Sequence, residues 1–228
     1  MASGWLCCGT LGPESIGFTQ SGEFRNEMAD PEPSLTDPDQ SLADRILHSS
    51  VKSSFEKDSR EFVPEGCLSA ITEAAIEEEL EEAGADDPGL PGLVEFIHKR
   101  AIKLFAIAVC ITIEGSTLYD VMRLFKASNF SDERLPIKPW AEQHELSSLS
   151  KKKWNRTRIS LFYTRQWAFL APIFRPATER QSNYDFEQSH ILPFTERYSE
   201  GYDRGSFGRV FKYKIHRDHL VDPEEPVR

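Results

Sequence analysis

The chain has 228 residues, of which 39% are hydrophobic and 28% charged, and its formal net charge is -10. That size and mixture fit a small folded domain with disordered flanks, and the overall acidity argues against a general nucleic-acid binder. Charge is unevenly placed: residues 73–87 hold eight acids and no base, while residues 151–165 hold six bases and no acid.

Four cysteines, Cys7, Cys8, Cys67 and Cys110, are too few and too scattered for a disulfide framework or a zinc spacing. A reducing, intracellular compartment is therefore expected, cytoplasmic or nuclear, and no metal site is implied. The opening MASGWLCCGTLG has neither the basic start nor the long apolar stretch of a secretory signal, and Ala2 excludes myristoylation. Cys7 and Cys8 read as a neighbouring pair of thiols rather than as acylation sites. The longest apolar run, LFAIAVCITI at residues 104–113, is half of what a membrane crossing needs, so no membrane span and a soluble protein are expected.

Residues 1–60 are rich in Ser, Pro, Asp, Glu and Gly, with apolar residues too scattered to offset chain entropy, so a disordered acidic tail is expected there. Within it SLADRI, residues 41–46, has the makings of a short helix capped by Ser41, marginal without a neighbour to cover its one apolar stripe. Residues 64–130 read as a helical segment. Leu68, Ile71, Ala75, Ile76 and Leu80 recur at helical spacing with carboxylates on the other face, which predicts an acidic amphipathic helix over residues 67–83. Those carboxylates fit a solvated face better than paired acid and base catalysis, which needs a pocket.

After the breaker run ADDPGLPG comes a longer helix. Pro91 fits its first turn, and Leu93, Ile97, Ala101, Leu104, Phe105, Ala108 and Val109 form one broad apolar face. Gly115 is expected to stop that helix, and Ser116 to cap a second one with the stripe Leu118, Val121, Met122 and Phe125. The pair predicts an antiparallel packing, with protein partners possible on residues 91–129. His98 reads as a surface side chain.

Residues 131–190 form an aromatic and basic linker region with helix or irregular structure. Its stretch KKKWNRTRISLFYTRQWAFLAPIF has a composition that stacks bases and neutralises phosphates. The stronger reading is a core, because burying Trp154, Leu161, Phe162, Trp167, Phe169, Leu170 and Phe174 contributes roughly 1.5 to 3 kcal/mol each. Nucleic acid is accordingly not the expected partner.

From His190 onward the pattern becomes strand-like: ILPFTERYSE, then glycines, then RVFKYKI. Phe211, Tyr213 and Ile215 alternate with Val210, Lys212 and Lys214, a period of two, so residues 191–228 predict a β-hairpin. The run Gly205, Ser206, Phe207, Gly208, Arg209, Val210, Phe211 and Lys212 resembles the glycine-rich loop of eukaryotic protein kinases, with flanks similar to fungal-type kinase-like proteins that carry a helical segment before the kinase domain. The match covers about 35 of the 228 residues.

The resemblance implies an α+β chain, mainly helical, that ends in the first two strands of a kinase small lobe. It implies ATP as ligand, with magnesium in the intact family, and places nucleotide contacts at Gly205, Ser206, Phe207, Gly208 and Val210. Glycines let backbone amides approach phosphates without a Cβ in the way, the phenylalanine closes over the site, and the valine packs on adenine. Asp203 stands where the pattern has its first glycine, and Gly201 lies two residues too early to replace it. Two like charges about 4 Å apart at an effective dielectric near 20 repel by roughly 4 kcal/mol, so Asp203 weakens the expected affinity unless it points to water or Arg204 offsets it.

The family's strand-3 lysine, catalytic aspartate and metal-binding aspartate have no counterpart before Arg228, so the expectation is a truncated, inactive relative of Ser/Thr kinases with no catalytic residue of its own. His216-Arg217-Asp218 spells the catalytic triplet far too soon after the loop, with Pro223 where the pattern has Asn, and Asp185-Phe186-Glu187 precedes the loop and lacks a glycine; neither is read as catalytic. Two strands alone are marginal in water, so the hairpin is expected to pack on the aromatic linker or stay loose. The competing reading is a non-catalytic helical protein-protein interaction module.

Overall fold

The computed structural model describes residues 5–10, 16–19, 40–55, 60–84, 87–111, 113, 115–137, 156–175, 182–184, 186–198 and 210–221. In chain order these form strands β1 (Trp5–Thr10) and β2 (Ile16–Thr19), helix α1 (Leu42–His48), and strands β3 (Val51–Lys52) and β4 (Glu61–Phe62). Helices α2 (Glu65–Ser69), α3 (Glu73–Gly84), α4 (Leu90–Arg100), α5 (Ile102–Cys110), α6 (Gly115–Ala127) and α7 (Arg156–Arg165) follow. Strands β5 (Ser182–Tyr184), β6 (Phe194–Tyr198) and β7 (Val210–Ile215) come last. The class is α+β, mainly helical with two small antiparallel sheets, as the sequence implies. Among the described residues no helix is long and apolar enough to cross a membrane.

The chain divides into two compact units interleaved along it: residues 33–50 with 65–170, and residues 1–32 with 51–64 and 171–228. The first holds all of the described α-helices. Its centre is α5, which touches α1, α2, α4, α6 and α7. Leu104, Phe105, Ala106, Ile107 and Ala108 are all fully buried, so a helix apolar on every side is here a helix surrounded on every side. Ser41 caps α1 as expected, its Oγ accepting from the Asp44 amide at 3.2 Å. That helix is not left marginal: Leu42 and Ile46 are buried and α1 packs on α5, which supplies the cover that local sequence lacks.

Two expected helices are each broken in two. The acidic one divides at residues 70–72, where the Thr72 Oγ1 accepts from the Ala75 amide at 3.2 Å and starts α3 afresh. The longer one divides at Ala101, whose φ of -142° is not helical. The first amides of α5 are then capped from a distance: Asp132 accepts from Lys103 N at 3.0 Å and from Leu104 N at 2.9 Å. The helix ends at Cys110, earlier than Gly115, and Gly115 instead opens α6 with a φ of 50° that suits glycine. Of the residues expected in the core, Phe162, Trp167, Phe169 and Phe174 are buried, whereas Leu161 on α7 is exposed, Leu170 is half-buried and Trp154 lies outside the described residues. Gln166 lies fully buried and makes two hydrogen bonds to one residue, accepting from Ile137 N at 2.7 Å and donating to Ile137 O at 2.9 Å.

The second unit is a five-stranded sheet in the order β5-β2-β1-β7-β6 with every neighbouring pair antiparallel, plus the β3–β4 ribbon. The described part of residues 1–60 contributes β1, β2, α1 and β3, and the C-terminal hairpin joins a sheet of five strands. An unpaired strand edge leaves amides and carbonyls unsatisfied. On β7 that edge is taken by β1, from Trp5 opposite Lys214 to Gly9 opposite Val210. Cys7 and Cys8 accordingly sit on a central strand, opposite Lys212 and Phe211. The core of this unit is Phe174, Leu192, Phe194, Tyr213 and Ile215, with Phe55, Phe186 and Leu220 packed against it.

Candidate functional site

The hairpin that carries the glycine pattern is built from β6 and β7. Phe194 faces Ile215, Glu196 faces Lys214, Arg197 faces Tyr213 and Tyr198 faces Lys212, with a bulge between Phe194 and Glu196. Alternation does the work predicted of it: Tyr213 and Ile215 are buried, while Lys212 and Lys214 fall on the half-buried opposite face. The rings of Phe194 and Tyr213 stack at 4.9 Å, and both touch Phe55, at 5.7 and 5.5 Å.

The outer face is held by a cross-strand pair. Lys214 Nζ lies 3.0 Å from Glu196 Oε1, and the Tyr198 hydroxyl donates to the same carboxylate. The Tyr198 hydrogen bond, followed by Lys214, holds the Glu196 carboxyl below its ordinary 4.5. Arg197 lies over the Tyr213 ring at 6.0 Å.

At the base of the hairpin, Ser54 N donates to Phe194 O at 2.7 Å and Ser53 Oγ to Leu192 O at 2.7 Å. Both serines come from the segment that the sequence assigns to a tail. Nothing in their local pattern marks them, because the partner strand begins some 140 residues later.

Of the expected nucleotide contacts, Gly205, Ser206, Phe207 and Gly208 lie outside the described residues, as does Asp203. Val210 opens β7 two positions after Gly208, opposite Gly9 of β1. The paired strands thus bracket the glycine segment between Tyr198 and Val210. On the other edge of β7 lies β1, which reads WLCCGT.

The catalytic look-alike lies at a turn. Arg217–His219 form a 3-10 turn straight after β7, in which His216 Nδ1 accepts from Asp218 N at 3.3 Å. His216 and His219 are buried, their rings edge-on to Phe62 at 5.7 and 5.2 Å. Of the other look-alike, Asp185 lies outside the described residues, while Phe186 packs on Phe174 at 6.0 Å. His98 is at the surface beside Glu73, at 3.2 Å. Among the described residues no group of three or more His, Cys, Asp or Glu is placed to hold a metal ion.

No family model matches the sequence, and neither a curated protein nor a solved structure matches it. The functional reading therefore rests on residues and geometry.

Proposed function

We propose that this is a protein-kinase-like chain whose C-terminal hairpin binds ATP through the backbone of residues 205–208 and Val210. One observation carries the reading: the antiparallel register of β6 and β7 leaves the GSFG run as the connection between two paired strands, with Val210 leading into the second. That is the arrangement in which glycine amides fold over phosphates.

The docking alternative needs an apolar stripe free to receive a partner. Among the described residues, the stripes of α4 and α6 are spent on their own core: Leu93, Ile97, Leu118, Val121, Met122 and Phe125 are all buried. A partner would have to use the polar faces of those helices.

Thermal unfolding with and without ATP tests the proposal, with and without magnesium. Ligand at a hundredfold excess over its Kd stabilises the folded form by about 2.7 kcal/mol, a readily measured rise in Tm. Asp203→Gly is expected to tighten binding by tenfold or more, because it removes both a Cβ and a like charge near the phosphates. No rise in Tm for either protein at several millimolar ATP rejects a nucleotide site here.

A further inference from the structure

Beyond β7 the chain turns through two buried histidines. His216, 6% exposed, stands at the N-cap of the Arg217–His219 turn, and His219, 1% exposed, closes that turn by donating from its amide to His216 O at 3.0 Å. The two rings lie 6.1 Å apart, and both meet Phe62 of β4 edge-on. Their hydrogen bonds fix the form that each ring takes. The Asp218 amide is a donor, so His216 Nδ1 accepts from it, at 3.3 Å, only while that nitrogen carries no proton. The Pro172 carbonyl is an acceptor, so His219 Nδ1, 3.2 Å away, carries its proton and donates it. The turn is thus built around a neutral His216 with its proton on Nε2. An imidazolium has a donor on both nitrogens, so charging His216 sets one N–H against another and removes the cap.

The turn also holds a core residue. Phe174 N donates to His219 O at 2.7 Å and Val221 N donates to Phe174 O at 2.9 Å, so that Phe174 and Leu220 form a parallel bridge. The Phe174 ring is buried in the core of this unit, stacked on Phe194 at 5.9 Å. Charged groups lie on several of the elements around the histidines. On the turn itself Arg217 pairs with Asp218 at 3.4 Å. On the β3–β4 ribbon Lys52 and Glu61 are exposed, and Arg60 donates to the carbonyls of residues 188–190. On β6 and β7 Glu196 pairs with Lys214 at 3.0 Å. Residues 171–174 and 191–193 carry no charge, and Arg175 is exposed. We propose that His216 makes this turn an acid-released latch: in its neutral form it fastens residues 217–221 along Phe174, and a proton on Nδ1 undoes the cap and frees them. A group that must be uncharged in the folded chain contributes stability above its unfolded pKa, about 6.5 for histidine, and that contribution is lost as pH falls. The latch therefore holds at neutral pH and opens in mild acid.

Ring-nitrogen chemical shifts and amide hydrogen exchange of the full chain at about pH 7.5 and 5.5 test the latch, with exchange corrected for the intrinsic effect of pH. At the higher pH His216 is expected as the Nε2–H tautomer. At the lower pH the amides of Phe174, Leu220 and Val221 should exchange tenfold or more faster, while those of Val121 and Met122 in α6 keep their protection. His216→Asn keeps an oxygen acceptor at the N-cap and does not titrate, so exchange at the same three amides should be independent of pH in that variant. A charged ring or an Nδ1–H tautomer at His216 at pH 7.5 overturns the inference. So does protection in the parent chain that is equal at both pH values, or an acid response that survives in His216→Asn. If the variant does not fold, the tautomer and the response of the parent chain decide between them.

Discussion

Replacing Asp132 by alanine should remove the start of the central helix. Its carboxylate accepts from Lys103 N and Leu104 N at 3.0 and 2.9 Å, and Ala101, the residue at the helix N-cap, has no side chain to do so. Losing a cap costs roughly 0.5–2 kcal/mol, and orphaning a buried donor about 1–3 kcal/mol. Because one carboxylate serves two amides but is itself partly desolvated, a loss of about 2 kcal/mol is expected for Asp132→Ala and about 1 kcal/mol for Asp132→Asn, which keeps one oxygen acceptor. Burial pushes the Asp132 carboxyl above its ordinary 3.8, with the two amides pulling the other way. A carboxyl raised on folding stabilises the protein fully below its unfolded pKa and loses that contribution as pH rises through the folded value. The advantage of the parent chain over Asp132→Asn should therefore shrink as pH rises above about 4. Urea unfolding followed by circular dichroism at 222 nm reads it, since all described α-helices lie in the unit that contains Asp132. A loss below about 0.5 kcal/mol for the alanine variant, the range of ordinary surface changes, would falsify the remote cap.

Phe194→Ala should cost about 3–5 kcal/mol, because the fully buried ring sits among Phe55, Phe174 and Tyr213. Exchange protection of β6 and β7 is expected to vanish while the 222 nm signal persists; intact protection would refute the core assignment. Cys67 is fully buried and accepts from Ser49 Oγ at 2.9 Å, and burial pushes the Cys110 thiol up to about 12. Both should stay unmodified by iodoacetamide at pH 8 in the native chain and react once it is unfolded, as intact mass will show; alkylation of native Cys110 at the rate of a free thiol contradicts its raised pKa.

Local pattern carried the parts of the fold whose causes are local. Ser41 capped its helix, the alternation through Tyr213 and Ile215 gave the hairpin, and the aromatics Phe162, Trp167 and Phe169 went to the core. What escaped depends on residues far away in sequence. The stripe Leu93, Ile97, Ala101, Leu104 continues without interruption across the break at Ala101, because both helices turn that face inward. The feature that permits the break is Asp132, beyond the next helix. In the same way WLCCGT looks like a fragment of a tail until β7 offers it an edge, and Arg60 looks like any surface base until residues 188–190 meet it. The nucleotide positions were legible only as a motif, and of them Val210 alone lies among the described residues.

The central place of β1 has a consequence for the order of assembly. Its partner on β7 extends to Lys214, so during synthesis the first strand must wait for about 200 further residues to emerge, some 10–40 s at ordinary elongation rates. Every residue of the helical unit, 33–50 and 65–170, has left the ribosome before then. The helices are therefore expected to set first from nearby contacts, and the sheet to close later across about 200 residues of sequence separation, which makes it a slow step in maturation and the period when bare strand edges are open to aggregation.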